Sequence, residues 1–488
     1  MKRLFLLVAG VLLGLGARGQ NPAQQYIRKM MSQEPLKGTV VGISVQDAQG
    51  NTVASLNDDL RLAPASNTKL VTTGCALHAL GPDYRFKTGL GYTGTVKDGT
   101  LEGDLYILGG GDPTVGAKDS IAYRPEALFW KWKTLLRGAG IERIHGRIIG
   151  DGNAYEGHLE HASWSYDDLG TYYGTGTSAL CFYQNAIDYS VAAGAREGAP
   201  VFFVQTYPET PWMHTANYGV TGPAGSGNSL YLYTTDLAPY AQLRGVYAMD
   251  RKPKTEHFAN KYGALTCAYY FWKNLKDTGW EVTGEYAQVD RSGRICGPAF
   301  IPQEPTGKPV AIGYTESPAL REIARITNWE SDNFYAESLM RAMGEAATTV
   351  ASYDSCRVAV NEVLQGLGMP VEEIQLADGS GLSRMNYLSA GWITDYLQAM
   401  LHSPAAGAFL ASIPAPGQGT LSMVKIKGGE RIRMKSGSMG GVLCYSGYIL
   451  DAGGAPAYTF SILTNNATAP AKEVRPVLMR FLEFLLSL

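Results

Sequence analysis

The sequence predicts an α+β fold in which one antiparallel sheet is built from both chain ends, with helices against it and smaller β-rich domains inserted between. Strand patterns occur at residues 40–56 and return at 431–463, on either side of a helical block. Between these ends the composition changes, because 19 of the 29 tyrosines lie among glycines and threonines at residues 86–300. A chain of 488 residues is also too long for a single domain.

The first element, residues 1–19, has the pattern of a secretory signal peptide. Lys2 and Arg3 precede an apolar run at residues 4–15, and Ala17-Arg18-Gly19 forms a cleavage region. No cysteine stands directly after that cleavage region, so a lipoprotein anchor is not indicated. We therefore expect an exported, periplasmic protein.

The next elements are a strand pair and a buried helix. Residues 40–45 and 52–56 have strand patterns and are joined by a turn at Gly50-Asn51. After Ser66, the side chains from Leu70 to Leu77 are apolar or small, which is typical of a buried helix that begins near the serine.

Helical patterns and strands then alternate in blocks toward the C-terminus. Residues 477–488 are apolar on most sides and too few to span a bilayer. We expect them to pack on the sheet as a helix, and a helix on a membrane surface is the alternative. The other predicted elements are helices at 318–343 and 352–367 and strands at 431–436, 443–449 and 458–463.

Three motifs stand in one order along the chain: Ser66-Asn67-Thr68-Lys69, Ser331-Asp332-Asn333 and Lys435-Ser436-Gly437. A serine hydroxyl attacks a carbonyl carbon only when a base within hydrogen-bond reach removes its proton. A serine and a lysine three positions apart lie on the same face of a helix. The motifs therefore predict an acyl-transfer site without a histidine.

Each remaining motif residue has a predicted part in that chemistry. Ser331 would relay a proton to the leaving nitrogen, with Asn333 holding either the substrate amide or Lys69. Lys435 would bind a carboxylate or steady Ser331. Burial and the nearby charge of Lys435 should lower the pKa of Lys69 enough for it to act as a neutral amine.

The predicted oxyanion hole consists of the backbone N–H groups of Ser66 and Ser438. Gly437 would let the substrate backbone come close.

The spacing of the motifs predicts the domain organisation. Ser66 and Ser331 are much farther apart in sequence than Ser331 and Lys435, yet a compact site needs all three close together. We expect a discontinuous catalytic domain at residues 20–85 and 301–488, interrupted by a β-rich region at 86–300 that forms two subdomains.

Other motif matches are explained better by chance or by loops. Ser422-Met423-Val424-Lys425 leaves no room for a middle motif before Lys435, and Ser226-Gly227-Asn228 follows a glycine-rich turn. Neither a G-x-S-x-G elbow nor H-E-x-x-H is present. Glu156, His158, Glu160 and His161 crowd one segment, which is either a solvated loop or a metal site.

Charge and cysteines add further limits. The net charge of −2 becomes more acidic once the basic leader is removed, which argues against a nucleic-acid partner. Export permits disulfides among the six cysteines, and Cys267 with Cys296 is the first pair to test. Cys75 and Cys444 lie in apolar segments and are expected to be small buried residues.

The chain resembles the class C, low-molecular-mass penicillin-binding proteins, which are D-alanyl-D-alanine carboxypeptidases and endopeptidases of bacterial cell walls. The resemblance covers nearly the whole mature chain and includes, besides the three motifs, residues 42–45, 108–114, 150–152, 378–384 and 447–448. That family's third motif usually reads Lys-Thr-Gly. Ser436 keeps the hydroxyl, so we expect activity to survive.

The resemblance implies a penicillin-recognising, transpeptidase-like domain of the serine β-lactamase type, interrupted by two smaller domains. It implies that Ser66 is acylated, Lys69 accepts the proton, Ser331 is a second catalytic residue and Lys435 binds substrate. Peptidoglycan stem peptides would be the substrates and β-lactams the inhibitors. Neither a metal nor an organic cofactor is implied.

Two further positions, Asp168 and Arg384, are candidates for binding the far end of the peptide side chain. An acid and a base would suit the zwitterionic tip of a diaminopimelate residue. A surface aspartate and an arginine bound to a loop carbonyl are the alternative. For the whole protein, a β-lactamase-like hydrolase and a non-catalytic cell-wall-binding protein also stay open.

Overall fold

The structure is a computed structural model and describes residues 21–348 and 351–488. The predicted signal peptide at residues 1–19 lies outside the described residues. Within the described residues, no helix has both the length and the apolar character needed to cross a bilayer.

The described strands fall into three consecutive blocks along the chain. The N-terminal strands are β1 (Val40–Asp47) and β2 (Thr52–Leu56). The middle strands are β3 (Lys87–Tyr92), β4 (Thr95–Lys97), β5 (Thr100–Glu102), β6 (Leu105–Leu108), β7 (Arg143–His145), β8 (Ile148–Asp151), β9 (Ala186–Ala192), β10 (Phe202–Tyr207), β11 (His214–Asn217), β12 (Val220–Gly222), β13 (Tyr231–Thr234), β14 (Tyr240–Arg244), β15 (Val246–Ala248), β16 (Lys254–Ala259), β17 (Glu281–Val282), β18 (Tyr286–Val289), β19 (Ile295–Cys296), β20 (Pro302–Gln303) and β21 (Val310–Glu316). The C-terminal strands are β22 (Ile432–Met439), β23 (Val442–Leu450) and β24 (Pro456–Asn465).

The described α-helices lie mostly outside the middle block of strands. They are α1 (Pro22–Met31), α2 (Thr68–Leu80), α3 (Pro125–Gly138), α4 (Gly263–Asp277), α5 (Leu320–Trp329), α6 (Asn333–Thr348), α7 (Tyr353–Gly366), α8 (Ala390–Leu401), α9 (Ala406–Ser412) and α10 (Ala471–Leu485).

One antiparallel sheet is built from both chain ends, as the sequence predicts. Its strand order is β2-β1-β24-β23-β22, and β1 pairs with β24 from Val40 opposite Asn465 to Asp47 opposite Tyr458. Side chains on successive strand residues point to opposite faces. Leu443 and Cys444 accordingly join different hydrophobic clusters on the two sides of the sheet.

Helices cover both faces of this sheet. α1 and α10 contact each other and bury one face, so the predicted C-terminal helix does pack on the sheet. On the other face α8 contacts β1, β23 and β24. Behind it lies α2, whose residues Thr68–Leu77 are all buried between α5, α6 and α7.

The middle block forms separate sheets of its own. A seven-stranded sheet has the order β20-β19-β18-β8-β6-β3-β21, and smaller sheets of four, three, three and two strands complete the block. Because β21 pairs with β3, the seven-stranded sheet extends to residue 316, beyond residue 300 where we predict the inserted region to end.

The predicted helix at 318–343 is two helices in the structure. α5 ends at Trp329 and α6 begins at Asn333. Between them Ser331 has a φ of 56°, in the left-handed region that a continuing helix of L-residues avoids. This break separates the second motif from α5.

All six cysteines are buried and free. Cys267 and Cys296, the first pair to test, are therefore not joined in the structure: the Cys296 thiol donates to Asp290 Oδ2 at 3.3 Å, and Cys267 is buried within α4. Cys75 and Cys444 are the small buried residues that the sequence predicts, and burial raises the pKa of each thiol to about 12.

Candidate active site

Ser66 lies on a short 3-10 turn, Ala65–Asn67, immediately before α2. Lys69 is in the first turn of α2 and is completely buried, whereas Ser66 is half-buried. The Lys69 Nζ is 3.0 Å from Ser66 Oγ. The predicted contact between the first motif's amine and hydroxyl is therefore present.

Two further acceptors surround the same amine. Lys69 Nζ donates to Asn333 Oδ1 at 2.6 Å and to the Ser380 carbonyl at 2.7 Å. Burial lowers the pKa of Lys69 to about 8, although the charges of Asp378 and Glu337 oppose that shift. An amine with this pKa is partly neutral near physiological pH and can accept a proton.

The second motif fills the gap between α5 and α6. Asp332 Oδ1 accepts a hydrogen bond from the Tyr335 N–H at 2.9 Å, which caps the start of α6. Asn333 Nδ2 donates to the Tyr173 carbonyl at 2.9 Å, while its oxygen accepts from Lys69. The amide of Asn333 therefore has its orientation set by partners on both sides.

The third motif lies on β22, which is the edge strand of the five-stranded sheet. The Lys435 Nζ is 2.8 Å from Ser331 Oγ and donates at 2.8 Å to the Ser436 carbonyl. Burial and the neighbouring charge of Lys69 lower the pKa of Lys435 well below its ordinary value. Two lysines with lowered pKa values thus hold one hydroxyl each.

Gly437 allows β22 to lie directly against the Ser66 turn. A Cβ at this position would be 2.7 Å from the Pro64 carbonyl oxygen and 3.0 Å from the Ser66 nitrogen. Contacts that short do not occur for a real side chain without a shift of the backbone. The glycine of the third motif is therefore required first by the packing of the strand on the turn.

Residues 378–383 form a hydrogen-bonded loop that presents the Ser380 carbonyl to Lys69. Asp378 accepts from the Gly381 N–H at 2.8 Å and from the Ser383 N–H at 2.6 Å. Glu337 accepts from the Ser380 N–H at 2.8 Å. Burial and the charge of Asp378 raise the pKa of Glu337 to about 7.

A cavity of about 870 Å³ opens over this cluster. A second cavity of about 160 Å³ adjoins it and is lined by Ser66, Ser331 and Ser436, and Ser436 Oγ lies 3.1 Å from Thr420 Oγ1. Among the predicted site residues, the larger cavity is lined by Ser66, Asp168, Ser331, Asn333, Arg384 and Ser438.

Asp168 and Arg384 lie on walls of the larger cavity. Burial and the charge of Asp167 raise the pKa of Asp168, against a hydrogen bond from Tyr173 and the charge of Arg384. Arg384 Nη2 donates to the Gly440 carbonyl at 3.2 Å. Arg384 therefore lines the cavity and is bound to a loop carbonyl, and its binding of a substrate carboxylate stays a prediction.

The candidates that the sequence sets aside lie elsewhere. Ser422 and Ser226 are exposed and do not line this cavity. Glu160 forms an ion pair with Lys261 at 2.7 Å, and His161 Nδ1 is 2.7 Å from Ser163 Oγ. In residues 21–348 and 351–488, no group of three His, Cys, Asp or Glu side chains could hold a metal ion.

Sequence reasoning misses several groups that complete the site. The Ser380 and Tyr173 carbonyls accept from Lys69 and Asn333, and backbone groups carry no mark in a sequence. The Thr420 hydroxyl beside Ser436 comes from a loop with no recognisable motif. Glu337 could be found, because it lies one helical turn after Asn333, on the same face of α6.

Comparison with known proteins gives one family and several close folds. The D-Ala-D-Ala carboxypeptidase 3 (S13) family matches residues 23–483. A D-alanyl-D-alanine carboxypeptidase of Actinomadura sp. is 29% identical over 504 residues, covering 96% of this chain and 88% of that protein.

Among solved structures, penicillin binding protein 4 (dacB) from Haemophilus influenzae is similar, with a TM-score of 0.78 and 22% identity. That comparison covers 94% of this chain and 98% of the other. A structure of the same protein complexed with a novel β-lactam gives a TM-score of 0.72 at 21% identity, again covering 94% and 98%. These likenesses establish the fold over 94% of the chain.

Proposed function

The chain belongs to the D-Ala-D-Ala carboxypeptidase 3 (S13) family, and on that premise we propose that Ser66 is its acylated nucleophile. It is a serine-type D-Ala-D-Ala carboxypeptidase or endopeptidase that acts on the stem peptides of peptidoglycan. One observation carries the assignment of the nucleophile. The Lys69 amine lies 3.0 Å from the Ser66 hydroxyl inside a buried cluster at the floor of the large cavity.

Acylation begins when the neutral Lys69 amine takes the proton from Ser66 Oγ. The Oγ then attacks the carbonyl carbon of the penultimate D-alanine, and negative charge develops on the carbonyl oxygen. The backbone N–H groups of Ser66 and Ser438 are our candidates for stabilising that charge. Ser438 lines the cavity together with Ser66, which supports this choice.

Collapse of the tetrahedral intermediate breaks the C–N bond, and the leaving amine needs a proton. We assign its delivery to Ser331, because Ser331 Oγ lies 2.8 Å from Lys435 Nζ and faces the same cavity. Water then hydrolyses the ester on Ser66 and restores the hydroxyl. A carboxypeptidase releases a terminal D-alanine in this reaction, and an endopeptidase releases the amine of a cross-link by the same chemistry.

Substrate orientation belongs to the third motif and to Asn333. Ser436 lines the small cavity, and its hydroxyl would bind the terminal carboxylate together with the ammonium of Lys435, which is buried next to it and donates to the Ser436 carbonyl. Gly437 would present its backbone to the substrate, and Asn333 would position the substrate amide while it holds Lys69. Asp168 and Arg384, on the walls of the large cavity, would bind the distal zwitterion of a diaminopimelyl side chain.

Two wider proposals follow from the sequence pattern. We propose export to the periplasm through residues 1–19 and division into a catalytic domain, 20–85 and 301–488, with an inserted region at 86–300.

β-Lactams would inhibit by acylating Ser66. The complex of the related Haemophilus influenzae protein with a β-lactam supports that inhibition.

The decisive experiment combines labelled penicillin with defined peptides. The wild-type protein should take up one label on Ser66 and release D-alanine or cleave a cross-link, as measured by mass spectrometry. Ser66→Ala should abolish both activities. Ser422→Ala, in the exposed Ser-x-x-Lys match, is the control and should change neither.

The time course of the label separates the alternatives. A long-lived adduct fits a peptidase, whereas release within seconds would make the protein a β-lactamase-like hydrolase. If the folded wild-type protein takes up no label and cleaves no peptide, it is a non-catalytic wall-binding protein and the assignment of Ser66 fails.

A further inference from the structure

One solvent-facing sheet surface in the inserted region carries an unusual set of aromatic and amide side chains. The sheet has the order β11-β14-β13. We call the surface the tyrosine face; its residues are Tyr166, Tyr231, Tyr233, Tyr240, Gln242 and Arg244.

Strand alternation places these side chains on one side of the sheet. On β14 the residues Tyr240, Gln242 and Arg244 occupy every second position, while the intervening Ala241 and Leu243 are buried. Across the sheet, Gln242 pairs with Tyr233 and Arg244 pairs with Tyr231. The face is therefore continuous over two strands, and its reverse side is packed in a hydrophobic cluster.

The side chains of the face are ordered by contacts with one another. The Tyr233 ring lies 4.6 Å from the Tyr231 ring and 5.5 Å from the Tyr166 ring. Arg244 donates to Gln242 Oε1 at 2.8 Å, and Gln242 donates to the Tyr240 hydroxyl at 3.2 Å. A groove of about 460 Å³ is lined by Tyr166, Tyr233, Tyr240, Gln242 and Arg244, and Tyr231 lies beside it against Tyr233.

Tyr166 joins the tyrosine face to the catalytic cavity. Ser165, Asp167 and Asp168 line that cavity, whereas Tyr166, between them in sequence, lines the groove and is 65% exposed. The Tyr231 hydroxyl donates to the Tyr166 carbonyl at 3.3 Å, so the segment is attached to the sheet. One short stretch of chain is thus the common wall of the cavity and the groove.

We propose that the tyrosine face binds the glycan strand of peptidoglycan, as β-linked N-acetylated sugars, while the stem peptide occupies the catalytic cavity. This inference rests on the proposed function. It extends the substrate from the peptide to the polysaccharide that carries it.

The chemistry of the face fits such sugars. A pyranose ring has an apolar C–H face that packs on an aromatic ring, and its rim carries hydroxyl and acetamide groups that need hydrogen-bond partners. Tyrosine rings supply flat apolar area with a polar tip, and Gln242 and Arg244 supply an amide and N–H donors. Each extended peptide residue spans roughly 3.3–3.6 Å, so the proposal requires a stem of a few residues to reach across the shared wall.

The test compares two substrates that carry the same stem peptide. One is the free peptide that ends in D-Ala-D-Ala, and the other is that peptide on short glycan strands. We expect Tyr233→Ala and Gln242→Ala each to lower kcat/KM for the glycan-linked substrate, by about tenfold for the tyrosine. Hydrolysis of the free peptide and acylation by labelled penicillin should stay at the wild-type level.

Tyr314→Ala is the matched control, because Tyr314 is also exposed but lies on β21 and lines neither the groove nor the cavity. It should behave as wild type with both substrates. A direct measurement, titration of the wild-type protein with peptide-free glycan strands by calorimetry, should give binding that Tyr233→Ala abolishes.

Equal effects of Tyr233→Ala on both substrates, or no effect on either, would overturn the assignment. So would an absence of calorimetric binding to peptide-free strands. If instead the free peptide is not cut and penicillin is not taken up, the proposed function fails, and the titration still decides whether the tyrosine face binds glycan.

Discussion

The amine of Lys69 is completely buried and lies within hydrogen-bond distance of three oxygen atoms. The acceptors belong to Ser66, Asn333 and Ser380. Burial disfavours the ammonium form, which is why the pKa of Lys69 falls to about 8 despite the nearby carboxylates. The same burial acts on Lys435, and a substrate carboxylate bound beside it would favour the charged form again.

The pKa of Lys69 predicts the pH dependence of acylation. Below about pH 8 the amine is mostly protonated and cannot accept the Ser66 proton, so the second-order rate constant for penicillin acylation should rise as pH increases through about 8. Stopped-flow measurement between about pH 6 and 10, with circular dichroism to show that the fold persists, provides the profile. A rate that is flat over this range would contradict a general-base role for Lys69.

Asp168 should act on one class of substrate. Asp168→Lys reverses a charge on the cavity wall that also carries Arg384, so it should raise KM for diaminopimelyl peptides by about tenfold and leave simple D-Ala-D-Ala peptides little changed. Steady-state kinetics with both peptides measures this. Asp167→Lys makes the same charge change at the neighbouring residue of the wall, so it tests whether the overall electrostatic potential of the cavity is responsible. Equal losses for both peptides in Asp168→Lys would show that Asp168 does not bind the diaminopimelyl side chain.

At the level of elements, the site depends on how closely β22 approaches the turn before α2. Gly437→Ala places a methyl group against the Pro64 carbonyl and the Ser66 nitrogen. We expect it to lower the free energy of unfolding by about 1–3 kcal/mol and to slow penicillin acylation at least about tenfold. Denaturant unfolding and acylation kinetics measure the two effects.

The control for that substitution is Gly407→Ala. Gly407 is within α9, and a methyl group added there would have no atom within 4 Å, so the variant should gain up to about 1 kcal/mol from helix propensity. If Gly437→Ala acylates as fast as Gly407→Ala, the close approach of β22 is not needed for catalysis.

Regular elements were predictable wherever hydrophobic periodicity persisted over several residues. The strands predicted at 431–436, 443–449 and 458–463 are β22, β23 and β24, each slightly longer in the structure. Periodicity also predicts one helix at 318–343, because a pattern of apolar residues contains no information on the left-handed backbone conformation of Ser331. A residue with a left-handed backbone conformation cannot be recognised from its type when it is neither glycine nor asparagine.

For the site, the motifs predict which side chains meet, and the structure brings Ser66, Lys69, Ser331 and Lys435 into contact in pairs. What the motifs omit is the backbone. The carbonyls of Ser380 and Tyr173 fix Lys69 and Asn333, and their positions depend on tertiary packing between distant segments. Such partners become visible only when the whole fold is known.

In the molecule as a whole, the cavity wall that carries Asp168 is held by a buried lysine between β16 and α4. Lys261 is completely buried just before α4, forms an ion pair with Glu160 at 2.7 Å, and donates to the carbonyl of Gly174 at 2.8 Å and to that of Thr175 at 3.2 Å. Its contacts therefore attach the residues on either side of Asp168 to the segment between β16 and α4.

Lys261→Met should destabilise the protein, because it leaves the Glu160 carboxylate and two carbonyls without their donor. The expected loss is about 3 kcal/mol in the free energy of unfolding, measured with denaturant. Lys37→Met, which breaks the exposed pair with Glu34, is the control and should cost less than about 1 kcal/mol. Equal losses for the two variants would show that Lys261 is not an anchor.

The pairing of β1 with β24 has a consequence for the order in which the enzyme becomes active. The Ser66–Lys69 pair is synthesised early and the strands β22 to β24 late, so a chain that stops short of β22 has the nucleophile and its base but lacks Lys435, the partner of Ser331. Catalysis would begin only when synthesis is complete. An unfinished copy of a wall-cutting enzyme would thus be harmless to the cell that makes it.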